Sequence, residues 1–304
     1  SRNPASMCGI VGLKGTYGRV SRRGVVPLSY SLDNIGPMTR TVLENAQLMA
    51  VIAGHDAEDP GSANEPVSDY VAAARAGQDE GIAGMKVGVL RHFYREDMVA
   101  DPVVDAAIEA ALADLGALGA EIVEVRTHPM GEFADGNRVI LLPEAYAVHE
   151  HWLKTRPGDY AEMTRRKLLP GAFLSGADYV QGLRNRAFYA EAIDRLLDEV
   201  DVIVTASSMD PPFPIDDAEV VERNYPRQAR APFNLTGHPA LSVPAGFTAD
   251  EKPLPLSFQI VGRHFDECTV YRVAAAYETR NRWYERRPAP VSYTHLRAHE
   301  TRYD

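Results

Sequence analysis

Several side chains of this sequence have nucleophilic or ligating chemistry, and their spacing limits what each can do. A serine hydroxyl is a poor nucleophile at its own pKa and needs a base within reach. Ser6, Ser29, Ser31 and Ser242 have turn or strand settings with no His-Asp pattern nearby. His238 lies in a Gly-His-Pro turn, where a structural role is expected over general-base work. Cys8 adjoins Gly9 in an apolar run and is expected to be a small buried residue rather than a reactive thiol. Asp33, between Leu32 and Gly36-Pro37, is a candidate for ordering a site loop or contacting substrate, and an Asx-turn role is equally open. His295 and His299 are four residues apart, the spacing that puts two ligands on one helical face. No Glu in an H-E-x-x-H arrangement accompanies them, so no metal site is expected.

Such groups need a frame, and hydrophobic periodicity outlines one. Residues 8 to 38 are rich in Gly, Ser and Pro with short apolar stretches, which points to strands and tight loops rather than a long helix. Thr41 and Glu44 fit a capping box, opening a helix that runs to about Ala53. A polar, Ala-rich stretch from Asp56 to Glu80 is expected to be a surface connection with a short helix. Lys86 to Leu90 then reads as a strand. A helix capped by Asp101 with Pro102 in its first turn follows, and a second strand spans Glu121 to Val125. Strand, crossover helix and strand imply parallel pairing in an α/β layer structure. Residues 130 to 200 read as helical, with Leu183, Ala187, Ala190, Ile193 and Leu197 as a stripe and breaks at Pro157-Gly158 and Pro170-Gly171. Further strands are expected at Asp201 to Thr205, Leu241 to Val243 and Phe258 to Val261, and Asp266 caps a last helix to about Tyr277.

Composition narrows the class. The chain has 304 residues, 45% hydrophobic and 24% charged, which is ordinary for a globular protein, and no apolar run is long enough to cross a bilayer. A net charge of −10 argues against direct nucleic-acid binding. Arg19, Arg22 and Arg23 are accordingly expected to be solvated or paired. Two cysteines far apart in sequence make neither a disulfide framework nor a metal motif, so a cytoplasmic setting is expected. Ser1 to Gly12 have no signal-peptide pattern, and the opening residues read as the start of an internal fragment. Residues 289-304 have no periodicity and are expected to be a non-native tail, leaving 1-288 as a partial domain.

Three blocks carry a family resemblance. The first is Arg2-Asn-Pro-Ala-Ser-Met-Cys-Gly-Ile-Val-Gly-Leu-Lys14 with Thr16-Tyr-Gly-Arg-Val-Ser21, continuing through Ser31-Leu-Asp-Asn-Ile-Gly-Pro-Met-Thr-Arg40 and Ala53-Gly-His-Asp56. The second is Phe233-Asn-Leu-Thr-Gly-His-Pro-Ala-Leu-Ser-Val-Pro-Ala-Gly246, and the third Gln259-Ile-Val-Gly-Arg263. In this order they resemble amidase-signature enzymes. The resemblance implies an α/β fold with a mixed central sheet, helices on both faces and the N-terminal part missing. It also implies a carboxamide hydrolase with a serine nucleophile, a second serine in a cis peptide and a lysine base, with no cofactor.

In the family's Ser-x-Arg pattern Ser1 occupies x before Arg2. The nucleophile, bridging serine, lysine and oxyanion turn are therefore expected upstream, with Ser1 as nucleophile only if one residue were deleted. Arg2 resembles the arginine that braces the nucleophile turn, and Arg2 and Asp33 are the active-site support residues. The expected function is amide hydrolysis through a serine acyl-enzyme in the full-length parent, with this fragment inactive. The alternatives are the glutaminase component of a tRNA-dependent amidotransferase, its A subunit, which needs partner subunits, and a non-catalytic fragment or binding protein. Expected partners are a small amide substrate and either a second copy of the chain or those subunits.

Overall fold

The computed structural model describes residues 1–288. The expectations for 289-304, including His295 and His299, lie outside the described residues. Seven strands make one mixed sheet: β1 (Val11–Lys14), β2 (Met38–Thr39), β3 (Lys86–Val89), β4 (Glu121–Glu124), β5 (Val202–Ala206), β6 (Ala240–Phe247) and β7 (Pro255–Val261). Their order is β2-β1-β6-β7-β5-β3-β4. The β5-β3-β4 third is parallel and the remaining pairs are antiparallel. All five residues of β5 are buried, so both faces of the sheet are covered there, as its unbroken apolar run requires.

The crossover from β3 to β4 is the expected one. It is helix α4, which follows helices α1 (Arg2–Cys8), α2 (Val42–Ile52) and α3 (Tyr70–Asp79) in the chain and spans Pro102–Ala117. Asp101 accepts from the Val103 N–H and Pro102 stands in the first turn. Helix α2 has the full Thr41/Glu44 capping box, a device worth about 1 kcal/mol. Residues 130 to 200 hold α5 (Met130–Thr155), α6 (Glu162–Leu168) and α7 (Gly176–Glu199), with 3-10 turns at Pro157–Asp159 and Leu169–Phe173, the positions of the two Pro-Gly pairs. The stripe on α7 is turned slightly from its expected position. Gly182, Tyr189, Ile193 and Leu197 are buried while Leu183 is exposed. Gly182 is the cause: a Cβ there would lie 3.0 Å from Val139 of α5, so the two helices meet at that glycine.

Two expectations need correction. The first block begins as helix α1, whose buried residues Arg2, Ala5 and Ser6 share one face at spacings of three and four. Ser6 is therefore helical rather than in a turn or strand. Cys8 lies off that face and is exposed, not buried; the apolar run that suggested burial begins only after Gly9, which takes the left-handed φ of 65° and turns the chain into β1. Short helices α8 (Ala218–Asn224) and α9 (Ala231–Leu235) and a π-turn at Phe93–Asp97 were not legible. The last helix, α10 (Glu267–Arg280), starts where Asp266 predicted.

Of the basic cluster, Arg22 pairs with Asp59 and Arg23 with Glu58, as expected. Arg19 is not a surface residue at all, being 2% exposed.

Glu278 of α10 accepts the Val42 N–H at 2.9 Å and ties α10 to the start of α2. Burial pushes its carboxyl up to about 7, against the effect of that hydrogen bond. With a folded pKa above the unfolded one, the unfolded chain gives up this proton first. Stability from this group is therefore full below the ordinary carboxylate range and falls as pH rises toward 7. Glu278→Gln keeps the acceptor and removes the charge. It is expected to stabilise by about 1–2 kcal/mol at pH 8 and to be neutral near pH 4, in thermal denaturation at the two pH values.

Candidate active site

The first block folds so that α1 lays Arg2 inward against β7. The Arg2 guanidinium donates to Gln259 Oε1 at 2.7 Å and to the Arg230 carbonyl at 2.8 Å. Gln259 Nε2 donates in turn to the carbonyls of Ala206 and Ala229 at 2.8 and 2.6 Å. Arg230 donates to the Ser207 carbonyl and to Ser208 Oγ at 2.8 and 2.7 Å. These bonds lock α1, the end of β5, the loop before α9 and β7 into one unit. Both guanidiniums are buried without an acid partner among these contacts. Burial, and then the neighbouring Arg230, brings Arg2 down to about 9, and burial brings Arg230 down to about 10.

Ser1 stands at the N-cap of α1, its carbonyl accepting from the Ala5 N–H at 3.1 Å. The buried guanidiniums of Arg2 and Arg230 make the frame behind α1 cationic, which suits an anion or an oxyanion. Lys14 on β1 is buried, and desolvation, with Arg2 next, holds its amine well below the ordinary range. Its Nζ is turned to the carbonyls of Gly15 and Gly237, at 2.8 and 3.3 Å, and not to Ser1.

The other wall of the site is the loop from Leu28 to Pro37. The Asp33 carboxylate accepts the N–H groups of Leu28 and Ser29 at 2.7 and 3.0 Å, closing the loop on itself. Of the readings open for Asp33, this contact is a loop-ordering one. Glu144 of α5 pins the same loop, taking the Ser31 N–H at 3.0 Å and the hydroxyls of Ser29, Ser31 and Tyr179. Those four donors hold its carboxyl below the ordinary range although burial opposes them. Gly36 presses against β1: a Cβ there would sit 1.9 Å from the Leu13 carbonyl and 3.3 Å from Ser1 Oγ. Only a residue without a side chain lets this loop reach Ser1.

The structure thus brings the Gly36 end of the Asp33 loop against Ser1, while Arg2, next in the chain, reaches Gln259 of β7. Ser6, Ser208 and Ser257 share hydrogen bonds of 3.2 and 2.6 Å, and Ser242 bonds Ser207 at 3.3 Å, so these hydroxyls satisfy one another inside the fold. Burial pushes the half-buried Cys268 thiol up to about 11. His238 does find an aspartate, Asp194 of α7, at 2.9 Å. Burial holds its imidazole down to about 4. Sequence reasoning missed Arg230, Lys14, Glu144 and Asp194. Gln259 opens the third block of the resemblance, whereas nothing in the spacing of Glu144 or Asp194 announces a partner more than 40 residues away.

The fold is an α/β structure with a mixed seven-stranded sheet, braced beside a serine N-cap by a buried arginine. A family model described as amidase matches residues 1–271. The chain belongs to the amidase signature family. It is 36% identical to the A subunit of the glutamyl-tRNA(Gln) amidotransferase of Chloroflexus aggregans, over 94% of this chain and 62% of that protein. It is 35% identical to an amidase of Pseudomonas putida, again over 94% of this chain and 62% of the relative. The peptide amidase of Stenotrophomonas maltophilia superposes with a TM-score of 0.77 at 27% identity, covering 95% of this chain and 61% of that one. The chain therefore spans about three fifths of the length of these relatives. No helix among the described residues is long and apolar enough to cross a membrane.

Proposed function

We propose that the full-length parent is an amidase that hydrolyses a small or medium carboxamide through a serine acyl-enzyme, and that this chain supplies the frame rather than the reacting groups. The observation that carries the reading is the family match over residues 1–271 together with a buried, doubly bonded Arg2 directly after Ser1. In that reading a lysine, held neutral by burial, draws the proton from the nucleophile through a bridging serine. The nucleophile adds to the amide carbonyl, the amine or ammonia leaves with the proton, and water releases the acid. Arg2 braces the nucleophile turn, and Asp33 keeps the facing loop closed. Lys14, the buried lysine of this frame, is turned to the carbonyls of Gly15 and Gly237, and among the described residues no side-chain base is hydrogen-bonded to the Ser1 hydroxyl, which supports placing the nucleophile elsewhere.

The test has two arms. The 304-residue chain is expected to release no ammonia from a panel of carboxamides and to take no label from a fluorophosphonate, which marks activated serines. Turnover abolished by Ser1→Ala would overturn that half. The parent protein, carrying the residues that complete its relatives' length, is expected to do both, and failure on every amide tested overturns the hydrolase reading. The 36% identity to an amidotransferase component favours a second reading, a glutaminase working with partner subunits. Preference for glutamine, with activity that rises when those subunits are added, would select it.

A further inference from the structure

Apart from the Ser1 frame, three ligating side chains from distant parts of the chain converge at one point. They are Asp194 of α7, His238 in the turn before β6, and His264 in the loop before α10; one ligand atom from each lies within 4.8 Å of the others. His238 Nε2 is 2.9 Å from Asp194 Oδ1, and His264 Nδ1 is 3.3 Å from the same oxygen. The two rings lie with centroids 3.9 Å apart. We propose that Asp194, His238 and His264 form a divalent-metal site of the zinc class, with a fourth position open to solvent.

The outer hydrogen bonds of the two histidines make the case. His264 Nε2 is 3.0 Å from the Thr236 carbonyl, which can only accept, so the proton of a neutral His264 sits on Nε2. Its Nδ1 then turns a lone pair toward a carboxylate oxygen. Two acceptors 3.3 Å apart need a cation or an extra proton between them. His238 Nε2, 2.9 Å from the same carboxylate oxygen, donates to it when no cation is present; a cation would displace that proton to Nδ1, where Thr236 Oγ1 at 2.9 Å can accept it, and Nε2 would then offer a second lone pair at the same point. One threonine thus fixes the tautomer of His264 through its carbonyl and can accept the Nδ1 proton of a metal-bound His238 through its hydroxyl. Metal-bound histidines are oriented by outer-shell acceptors in this way. Two imidazoles and a carboxylate are a ligand set that zinc accepts, at about 2.0–2.2 Å from each donor atom.

Access is adequate. His238 is fully buried, whereas the His264 and Asp194 side chains are 33% and 50% exposed. Asp194 can swing back from the convergence point to let a cation in, and water fills the fourth position. A bound ion would clamp α7 to the turn before β6 and to the loop at His264. That turn also carries Gly237, whose carbonyl receives Lys14 Nζ and the Tyr17 N–H. A bound ion would therefore also steady the strand on which Lys14 lies.

The test measures zinc bound to the purified chain after equilibrium dialysis, with cobalt substitution to read coordination from its visible d–d absorption. One equivalent is expected, with the spectrum of a four-coordinate site and a higher thermal midpoint in zinc. His264→Ala and Asp194→Asn alter exposed groups, so their folds are checked by circular dichroism; each is expected to lose that equivalent. Thr236→Val leaves the ligands in place and is expected to weaken zinc binding about 10-fold to 100-fold. His295 and His299 remain in all these variants. Zinc that stays at wild-type affinity in both His264→Ala and Asp194→Asn is held elsewhere and overturns the proposal. So does a wild-type chain that binds none, which would assign the extra proton, not a metal, to the His264–Asp194 contact.

Discussion

Gln259→Leu is expected to lower folding stability by about 4 kcal/mol, because one buried amide satisfies three partners at once. Leucine matches the volume and offers neither donor nor acceptor. The carbonyls of Ala206 and Ala229 lose their 2.8 and 2.6 Å donors, and the Arg2 guanidinium loses the acceptor at 2.7 Å. Each buried polar group left unpaired costs about 1–3 kcal/mol, more when it is charged. Water cannot easily replace the amide, since Gln259 is fully buried between β6 and β5. Gln259→Glu is expected to lie between the two, keeping an acceptor toward Arg2 and losing both donated bonds. Urea unfolding with a two-state fit measures this, and a loss below about 1 kcal/mol would show that the frame around Arg2 carries little of the stability.

The second large effect is expected at Glu267, the first residue of α10. It is fully buried, and its Oε1 accepts the N–H and the hydroxyl of Thr16 at 2.8 and 2.7 Å. Its Oε2 lies 3.7 Å from Arg19 Nε, and neither of those two atoms has a hydrogen-bond partner among the described residues. The two charges therefore attract without the directional bond that would best offset their desolvation. Arg19 is otherwise held by the carbonyls of Glu65 and Pro66 at 3.0 and 2.9 Å and by the face of Phe265. Glu267→Ala strands this guanidinium in the interior, a situation that costs about 3–5 kcal/mol. The imperfect pair geometry places the expectation at about 3 kcal/mol, with unfolding midpoints falling accordingly. Glu267→Gln keeps an acceptor for Thr16 and loses only the charge, so about half that loss is expected. Equal losses for the two variants would assign the whole effect to the charge and none to the Thr16 bonds.

Much of the fold was legible because its signals are local. Asp101-Pro102, the Thr41/Glu44 box and Asp266 each mark a helix start through bonds to their own next turn, and those helices begin where expected. The apolar character of Asp201 to Thr205 announced a buried strand, which the fold places at Val202–Ala206. Legibility failed where a residue's setting depends on a distant partner. Cys8 looked buried from its neighbours, but burial on α1 is set by which face meets β6 and β7. Leu183 looked like part of a stripe, and the close approach at Gly182 turned the helix. Arg19 was expected to be solvated or paired, and only the fold showed that its partner is Glu267, 248 residues later, inside the protein.

The order of the three family blocks, the helix caps and the βαβ unit were legible in the amino-acid sequence alone, since the blocks are read by residue identity and the caps and the apolar periodicity of each element by residues within a few turns of one another. They were enough for the α/β class and the family. Only the tertiary structure decided what surrounds Ser1: a cationic pair, Arg2 and Arg230, braced by Gln259, and a loop closed by Asp33 and Glu144. It alone joined Asp194 to His238 and His264. The physical reason is that buried charges and polar groups must be satisfied by whatever the sheet order brings to them, and β1, β6, β7 and β5 are neighbours in space but scattered along the chain.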